Sequence, residues 1–228
     1  MKINRTLLKI IPAALLLCLP LQRADAQGIS FRLYAEPLIS WFSSDTEATM
    51  NDGARPGFAY GLTFDTYFAP NYAFSTGIGL MNTSGRLNYS DTVTINFKNS
   101  QSQLYPGENI LYKIQYLTVP LAINMKSNQI GYMTFFANVG MKPKIVIGGK
   151  GSIAARNIEK ESVMDELKLF NLGYQVTLGT EYSLGGSTAI ILGLGYEDNF
   201  LDITKDNEGQ PDDRIRQYII RFKLGLNF

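Results

Sequence analysis

The sequence predicts an all-β fold: a transmembrane, antiparallel up-and-down β-barrel of about eight strands. Three observations carry this reading. Hydrophobicity alternates with period two along most of the chain beyond residue 27. In each alternating stretch one face is apolar and rich in aromatics, while the other is charged, polar or glycine. Tight connections alternate with long polar ones. A soluble sandwich keeps its bulk inside and its charge outside. The inverse arrangement belongs to a barrel with lipid outside and a polar interior.

The first 26 residues read as a cleaved signal peptide. Lys2, Arg5 and Lys9 form a basic start, "IIPAALLLCLPL" (10–21) an apolar run too short to span a bilayer as a helix, and "ADA" (24–26) a small-x-small cleavage site. The mature domain is then 27–228. Removing Lys2, Arg5, Lys9, Arg23 and Asp25 takes the chain from 21 basic and 20 acidic residues to 17 and 19, a net of −2. That balance offers no pull towards nucleic acid. Cys18, the one cysteine, leaves with the leader, so an exported chain is expected to be stable without disulfides.

The strands follow in order. The first, 28–42, carries Arg32 and Glu36 inward, with Pro37 favouring an irregularity. In 57–68, Phe58, Tyr60, Leu62, Phe64 and Phe68 oppose Ala59, Gly61, Thr63 and Asp65. In 72–84, Phe74, Ile78 and Leu80 oppose Ala73, Ser75, Gly77 and Gly79. The stretch 111–125 directs Leu117, Val119, Leu121, Ile123 and Met125 outward. Lys113 and Gln115 share that parity, so either the strand rises above the lipid there or a bulge near Tyr116 shifts the register. Strands at 130–147, 168–184, 187–200 and 214–228 complete the set, with "FNLGYQVTLGTEYSL" (170–184) the cleanest alternation. The links 69–71, 126–129 and 185–186 are tight, whereas 43–56, 85–110, 148–167 and 201–213 are long. Tight turns belong to the periplasm and long loops to the outside. Within the third long loop, 155–169 has the composition of a short helix.

The last strand ends the sequence on Phe228. Tyr218, Phe222, Leu224, Leu226 and Phe228 share its lipid-facing side. Such an ending suits a girdle at the membrane interface and resembles the signal read by the barrel-assembly machinery.

Inward charges of both signs are expected at Arg32, Glu36, Asp65, Glu181, Glu197, Arg221 and Lys223. Buried charges persist when paired, so these predict an ionic plug in the periplasmic half of the lumen. Eight-stranded barrels are filled by their own side chains, which favours a plug over a small pore or ligand-binding barrel. The inward glycines make room for long neighbours and for curvature.

Catalysis is not expected, and no cofactor or metal is implied. The sequence contains no histidine, the side chain that most readily serves as a base near neutrality. "GGKGS" (148–152), placed in an outer loop, faintly echoes a phosphate loop without its strand–loop–helix setting. "DITKDNEGQPDD" (202–213) is acidic but lacks calcium-loop spacing and reads as a solvated loop.

Two stretches carry a family resemblance. "YKIQYLTVPLAINMKSNQIGYMTFFANVG" (112–140) contains a Y-L-x-[IV]-P-L strand followed by K-[ST]-N-x-I-G-Y. "KLFNLGYQVTLGTEYSLGGSTAIILGLGYEDNFLDIT" (168–204) follows it. Together they resemble the PorT-like outer-membrane β-barrel proteins of Bacteroidota. Thr118 stands where that family usually has an acidic residue. A filled lumen, no catalytic set and four long loops read as a non-enzymatic outer-membrane barrel acting as an accessory or assembly component of an envelope complex, and the resemblance implies a candidate role in secretion across the outer membrane. Its implied partners are outer-membrane lipid, the barrel-assembly machinery during biogenesis, and subunits of type IX secretion or gliding machinery. It brings no catalytic residue.

Overall fold

The computed structural model describes residues 28–98, 100–205 and 210–228. The segment read as a signal peptide, 1–26, lies outside them. Eight staves form the wall: β1 (Ile29–Ser43), β2 (Arg55–Ala69), β3 (Tyr72–Tyr89), β4 in two segments (Asn109–Thr118 and Leu121–Lys126), β5 (Met133–Ile153), β6 (Phe170–Gly185), β7 (Thr188–Asn199) and β8 (Arg216–Asn227). Each pairs antiparallel with its sequence neighbours. β8 returns to β1 through pairs such as Leu33↔Leu226 and Ile39↔Ile220, which closes the barrel. At the seam the Phe228 N–H donates to the Phe31 carbonyl at 2.8 Å, and the Phe31 N–H donates back at 3.2 Å. No helix among the described residues is long and apolar enough to cross a membrane.

The outward faces form a continuous apolar belt. Phe31, Leu33, Leu62, Phe64, Ile78, Ile123, Val139, Leu178, Leu194 and Phe222 are all exposed on the outer wall. Aromatic pairs bound the belt: Phe68–Tyr72 and Tyr132–Tyr182 at the tight-turn end, Trp41–Tyr218 and Tyr174–Phe200 at the other. Ten residues separate Phe31 from Trp41 on one face of β1, roughly 33 Å of strand. At a tilt of about 40° that gives roughly 25 Å of height, the thickness of a barrel's apolar band.

Several strands continue beyond the belt. β3 runs to Tyr89 and β5 to Ile153, where ends near 84 and 147 were expected. In this upper wall the pattern inverts. Leu87, Tyr89, Ile110, Tyr112 and Ile153 point inward and are buried, whereas Arg86, Asn88 and Lys113 point away. Outside is water here, so bulk returns to the interior.

This resolves the ambiguity at Lys113 and Gln115. β4 keeps one parity throughout, with Tyr112, Ile114, Tyr116 and Thr118 all buried, and its upper part stands above the lipid. A bulge also occurs at this height, but in the partner. Gln115 pairs with Gly148 and Tyr116 with Val146, which leaves Ile147 as the extra residue. Pro120 breaks β4 between its two segments, as a residue without an N–H should. Pro37 leaves a gap in the ladder but no register shift, since Ala35↔Leu224 and Leu38↔Arg221 share one alignment.

The long loops are ordered around this upper wall. Thr49–Asn51 pairs with β3, Ile158–Ser162 pairs with β5, and Val93–Asn96 pairs with Gln101–Leu104 as a separate hairpin. The helix expected in 155–169 does not form. Two short 3₁₀ turns, Ala154–Arg156 and Met164–Glu166, flank the strand instead. Residues 148–152, placed in a loop from sequence, belong to β5, whose projecting edge offers backbone partners to 158–162.

Two of the lumenal glycine pairs serve large aromatic rings. Tyr34 lies in register with Gly61 and Gly79, and a Cβ at Gly61 would sit 2.7 Å from the Tyr34 hydroxyl. Phe136 lies in register with Gly179 and Gly193 in the same way, and a Cβ at Gly179 would sit 2.6 Å from its ring. The glycines let aromatics lie flat along the wall, a use of space the sequence alone assigned to charged neighbours. Gly195 does make room for a charged neighbour, since a Cβ there would sit 3.2 Å from the Arg221 guanidinium.

Candidate functional site

The lumen is filled at three levels. The lowest, nearest the tight turns, is centred on Arg32. Its Nη2 donates to Glu181 Oε1 and forms an ion pair with Asp65 Oδ2, each at 2.7 Å. Lys126 Nζ donates to the other Glu181 oxygen at 2.8 Å, and Asn124 Nδ2 donates to Asp65 at 2.8 Å. Four strands contribute to these contacts, so the layer ties the wall together across its interior.

The second level is larger. Lys142 and Lys144 donate to the two oxygens of Glu197 at 2.8 and 2.6 Å. Arg221 donates to Glu36 and Gln175, each at 3.1 Å, and its Nε lies 3.7 Å from Glu197. Lys223 Nζ lies 3.3 Å from Glu36. Lys144 also donates to Asn199 and sits over the Tyr116 ring, as Lys223 sits over Tyr34. Glu197 and Lys144 have no exposed side-chain surface.

The sequence-predicted charges therefore fall in two layers. Arg32, Asp65 and Glu181 meet in the lower one; Glu36, Glu197, Arg221 and Lys223 meet in the upper one. Sequence reasoning missed Lys126, Lys142 and Lys144. Lys126 was assigned to a turn, yet it ends β4 and reaches inward. Lys142 and Lys144 flank Pro143, which obscured the alternation, although both share parity with Asn138 and Gly140. With these three, the two layers hold six cations and four carboxylates among the described residues.

The third level corrects an expectation. The alternation predicts a polar interior, but the outer part of the lumen is an apolar core. Leu38, Phe42, Met81, Leu87, Ile110, Tyr112, Ile114 and Tyr116 from the wall pack with Val93, Ile95, Phe97, Leu104, Val163, Leu167 and Ile203 from the loops. Glu166, buried, knits three of those loops together. Its carboxylate accepts the Asn96 N–H and the Gln210 side-chain amide, each at 2.7 Å, and its carbonyl accepts the Lys205 N–H at 2.9 Å. Asp202, from the loop expected to be merely solvated, accepts from Lys168 Nζ at 2.6 Å and from the Ile215 N–H at 2.9 Å. Residues 206–209 of that acidic stretch lie outside the described residues. The outer mouth is thus closed by a packed lid.

The residues suggested as an assembly signal, Tyr218, Phe222, Leu224, Leu226 and Phe228, lie on the outer face of β8 or just beyond its end.

Comparison with known proteins adds the following. Neisserial surface protein A is 10% identical, with 90% of this chain and 98% of that chain covered and a TM-score of 0.47. OprG from Pseudomonas aeruginosa is 12% identical, with 89% and 95% covered and a TM-score of 0.43. The outer membrane protease OmpT from Escherichia coli is 8% identical, with 91% and 99% covered and a TM-score of 0.44. No curated protein sequence matches the chain. The family model of the outer membrane protein beta-barrel domain matches residues 26–205. Closed strands, a lipid-facing belt and this match place the protein in the outer membrane, and the chain belongs to the outer membrane protein beta-barrel domain family.

Proposed function

We propose that the protein is a closed, non-enzymatic outer-membrane barrel that acts through its outer surface, as an accessory or assembly component of an envelope complex. The observation that carries this is the filled lumen: two ionic layers below an apolar core, with the loops packed on top. Such an interior favours neither a conduit nor a ligand cavity, the alternative reading of a small pore. The sequence also offers no histidine base. The finer assignment, to PorT-like proteins and thus to type IX secretion or gliding machinery, is supported by the quoted motifs in 112–140 and 168–204.

Two measurements test the proposal. Purified protein in planar bilayers is expected to show no discrete conductance steps; clear single-channel steps would refute the closed barrel. Crosslinking and pull-down from native membranes is expected to recover secretion or motility subunits, and their consistent absence removes that association. Cleavage after Ala26 is part of the same proposal, and a mature protein whose mass retains residues 1–26 would rule it out. Reading of the β8 ending by the assembly machinery is checked by removing Phe228, which should slow membrane insertion.

A further inference from the structure

The upper wall carries a basic cleft that the lumen does not explain. It lies on the outer face of β2 to β5, immediately above the apolar belt, and encloses about 550 Å³. Lys113, Lys150 and Lys160 line it with Asn82, Ser84, Gln115 and Ser162, and no carboxylate does. All three lysines are exposed.

The fold assembles this cluster at a cost. Lys113 and Lys150 are direct cross-strand partners. Like charges so placed repel, which destabilises a ladder that nothing here neutralises. None of the ion pairs found among the described residues involves these three lysines, whereas Arg86, Arg156 and Lys168 near the same rim pair with Asp52, Glu108 and Asp202. Lys160 holds φ at 54°, the left-handed region that non-glycine residues seldom occupy. Its strand shifts register between Ile158 and Glu161, and Ser162 pairs with Lys150. This bulge brings a third ammonium to the cleft. Of the flanking acids, Glu161 accepts from Ser100, and Glu159 lines the next cleft along the wall, which Lys160 also borders.

Height identifies the ligand. Phe58 and Ile147, both exposed, mark the top of the belt beside the cleft, and Pro56, Gly57 and Gly148 line its edge. A lipid whose acyl chains lie against Phe58 and Ile147 would raise its headgroup to the lysines. Three ammoniums with amide and hydroxyl donors suit a phosphate ester and nothing apolar. We propose that the cleft binds the phosphate-bearing headgroup of a lipid in the outer leaflet.

The test uses the mature barrel refolded in zwitterionic detergent and titrated with diphosphoryl lipid A, with retention measured by native mass spectrometry. Each lysine near an anionic lipid is worth about fivefold in affinity. The triple variant Lys113→Gln/Lys150→Gln/Lys160→Gln is expected to bind roughly 100-fold more weakly, while keeping its heat-modifiable band on a detergent gel. Lys205→Gln/Arg214→Gln removes positive charge from residues that do not line the cleft and should bind as the unaltered protein does. Unchanged binding by the cleft variant, or the same loss per charge removed in both variants, overturns the proposal. So does displacement of the lipid by an equal concentration of inorganic phosphate, which would make the site one for a free anion.

Discussion

Glu197→Ala lowers the stability of the folded barrel by about 3–5 kcal/mol, the cost of leaving buried charges without their partner. Glu197 occupies the centre of the second ionic layer. It accepts from Lys142 and Lys144 and lies 3.7 Å from Arg221, with no exposed surface of its own. Without it, Lys142, Lys144, Arg221 and Lys223 share one level with Glu36 as the remaining carboxylate. The loss is a large part of a typical domain's 5–15 kcal/mol. The layer's excess of cations makes the effect asymmetric. Lys144→Met removes a charge from the side in surplus and should cost less than Glu197→Ala. Combining Lys144→Met with Glu197→Gln should recover part of the loss, because one uncompensated ammonium is gone. Urea unfolding in lipid vesicles reads all three. Added salt should change little, since the layer is shielded from solvent ions. A Glu197→Ala cost below about 1 kcal/mol, under a third of the expected loss, would mean the layer does not hold the wall together. Equal costs for Glu197→Ala and Lys144→Met would remove the argument from cation excess.

The parts of the fold that were legible from sequence are those governed by lipid. Where lipid lies outside, the outward residues must be apolar and the inward ones must be small, polar or charged. That rule exposes every stave of the belt and the inward parity of Arg32, Glu36, Asp65, Glu181, Glu197, Arg221 and Lys223. The rule fails where the solvent changes. Above the belt, Leu87 and Tyr89 face inward while Arg86 and Asn88 face water. Without knowing the height of the lipid boundary, such a stretch reads as a polar loop. The apolar core was hidden for the same reason, since its residues come from strand extensions and from loops with no shared period. Lys142 and Lys144 were missed on a different ground. The strand at 130–147 spans them, but a proline between two lysines breaks the apolar alternation that marks the inward face, even though Pro143 faces outward and opposes Leu172 of β6.

Ile95→Ala/Leu104→Ala is expected to release the lid while leaving the barrel folded. Both side chains are fully buried, and both belong to the hairpin Val93–Asn96/Gln101–Leu104, which pairs with no stave. Truncating a buried aliphatic costs about 2–5 kcal/mol, so the pair removes roughly 4–10 kcal/mol. A two-stranded hairpin is marginal by itself in water, so its order comes from docking. What would remain is Val93 and Phe97, the Asn96 N–H on the Glu166 carboxylate, the Lys98 N–H on the Ser162 carbonyl, the Gln210 amide on the Thr94 carbonyl and the Ser100 hydroxyl on Glu161. These are too few to hold the segment once the apolar contact is lost. The wall does not share the loss, because its ladders run from β1 to β8 without the hairpin. Protease should therefore cut within 90–108 in the variant and not in the unaltered protein, while heat-modifiable migration stays the same. Global unfolding in place of local cleavage would show that lid and wall form one cooperative unit. The same variant separates the two closures of the lumen. Both ionic layers lie below the lid and use none of its residues, so planar bilayers should remain silent after the lid is released. Conductance in the lid variant would move the seal from the ionic layers to the loops. Silence there, followed by conductance once Glu197→Ala is added, would assign the seal to the buried charges.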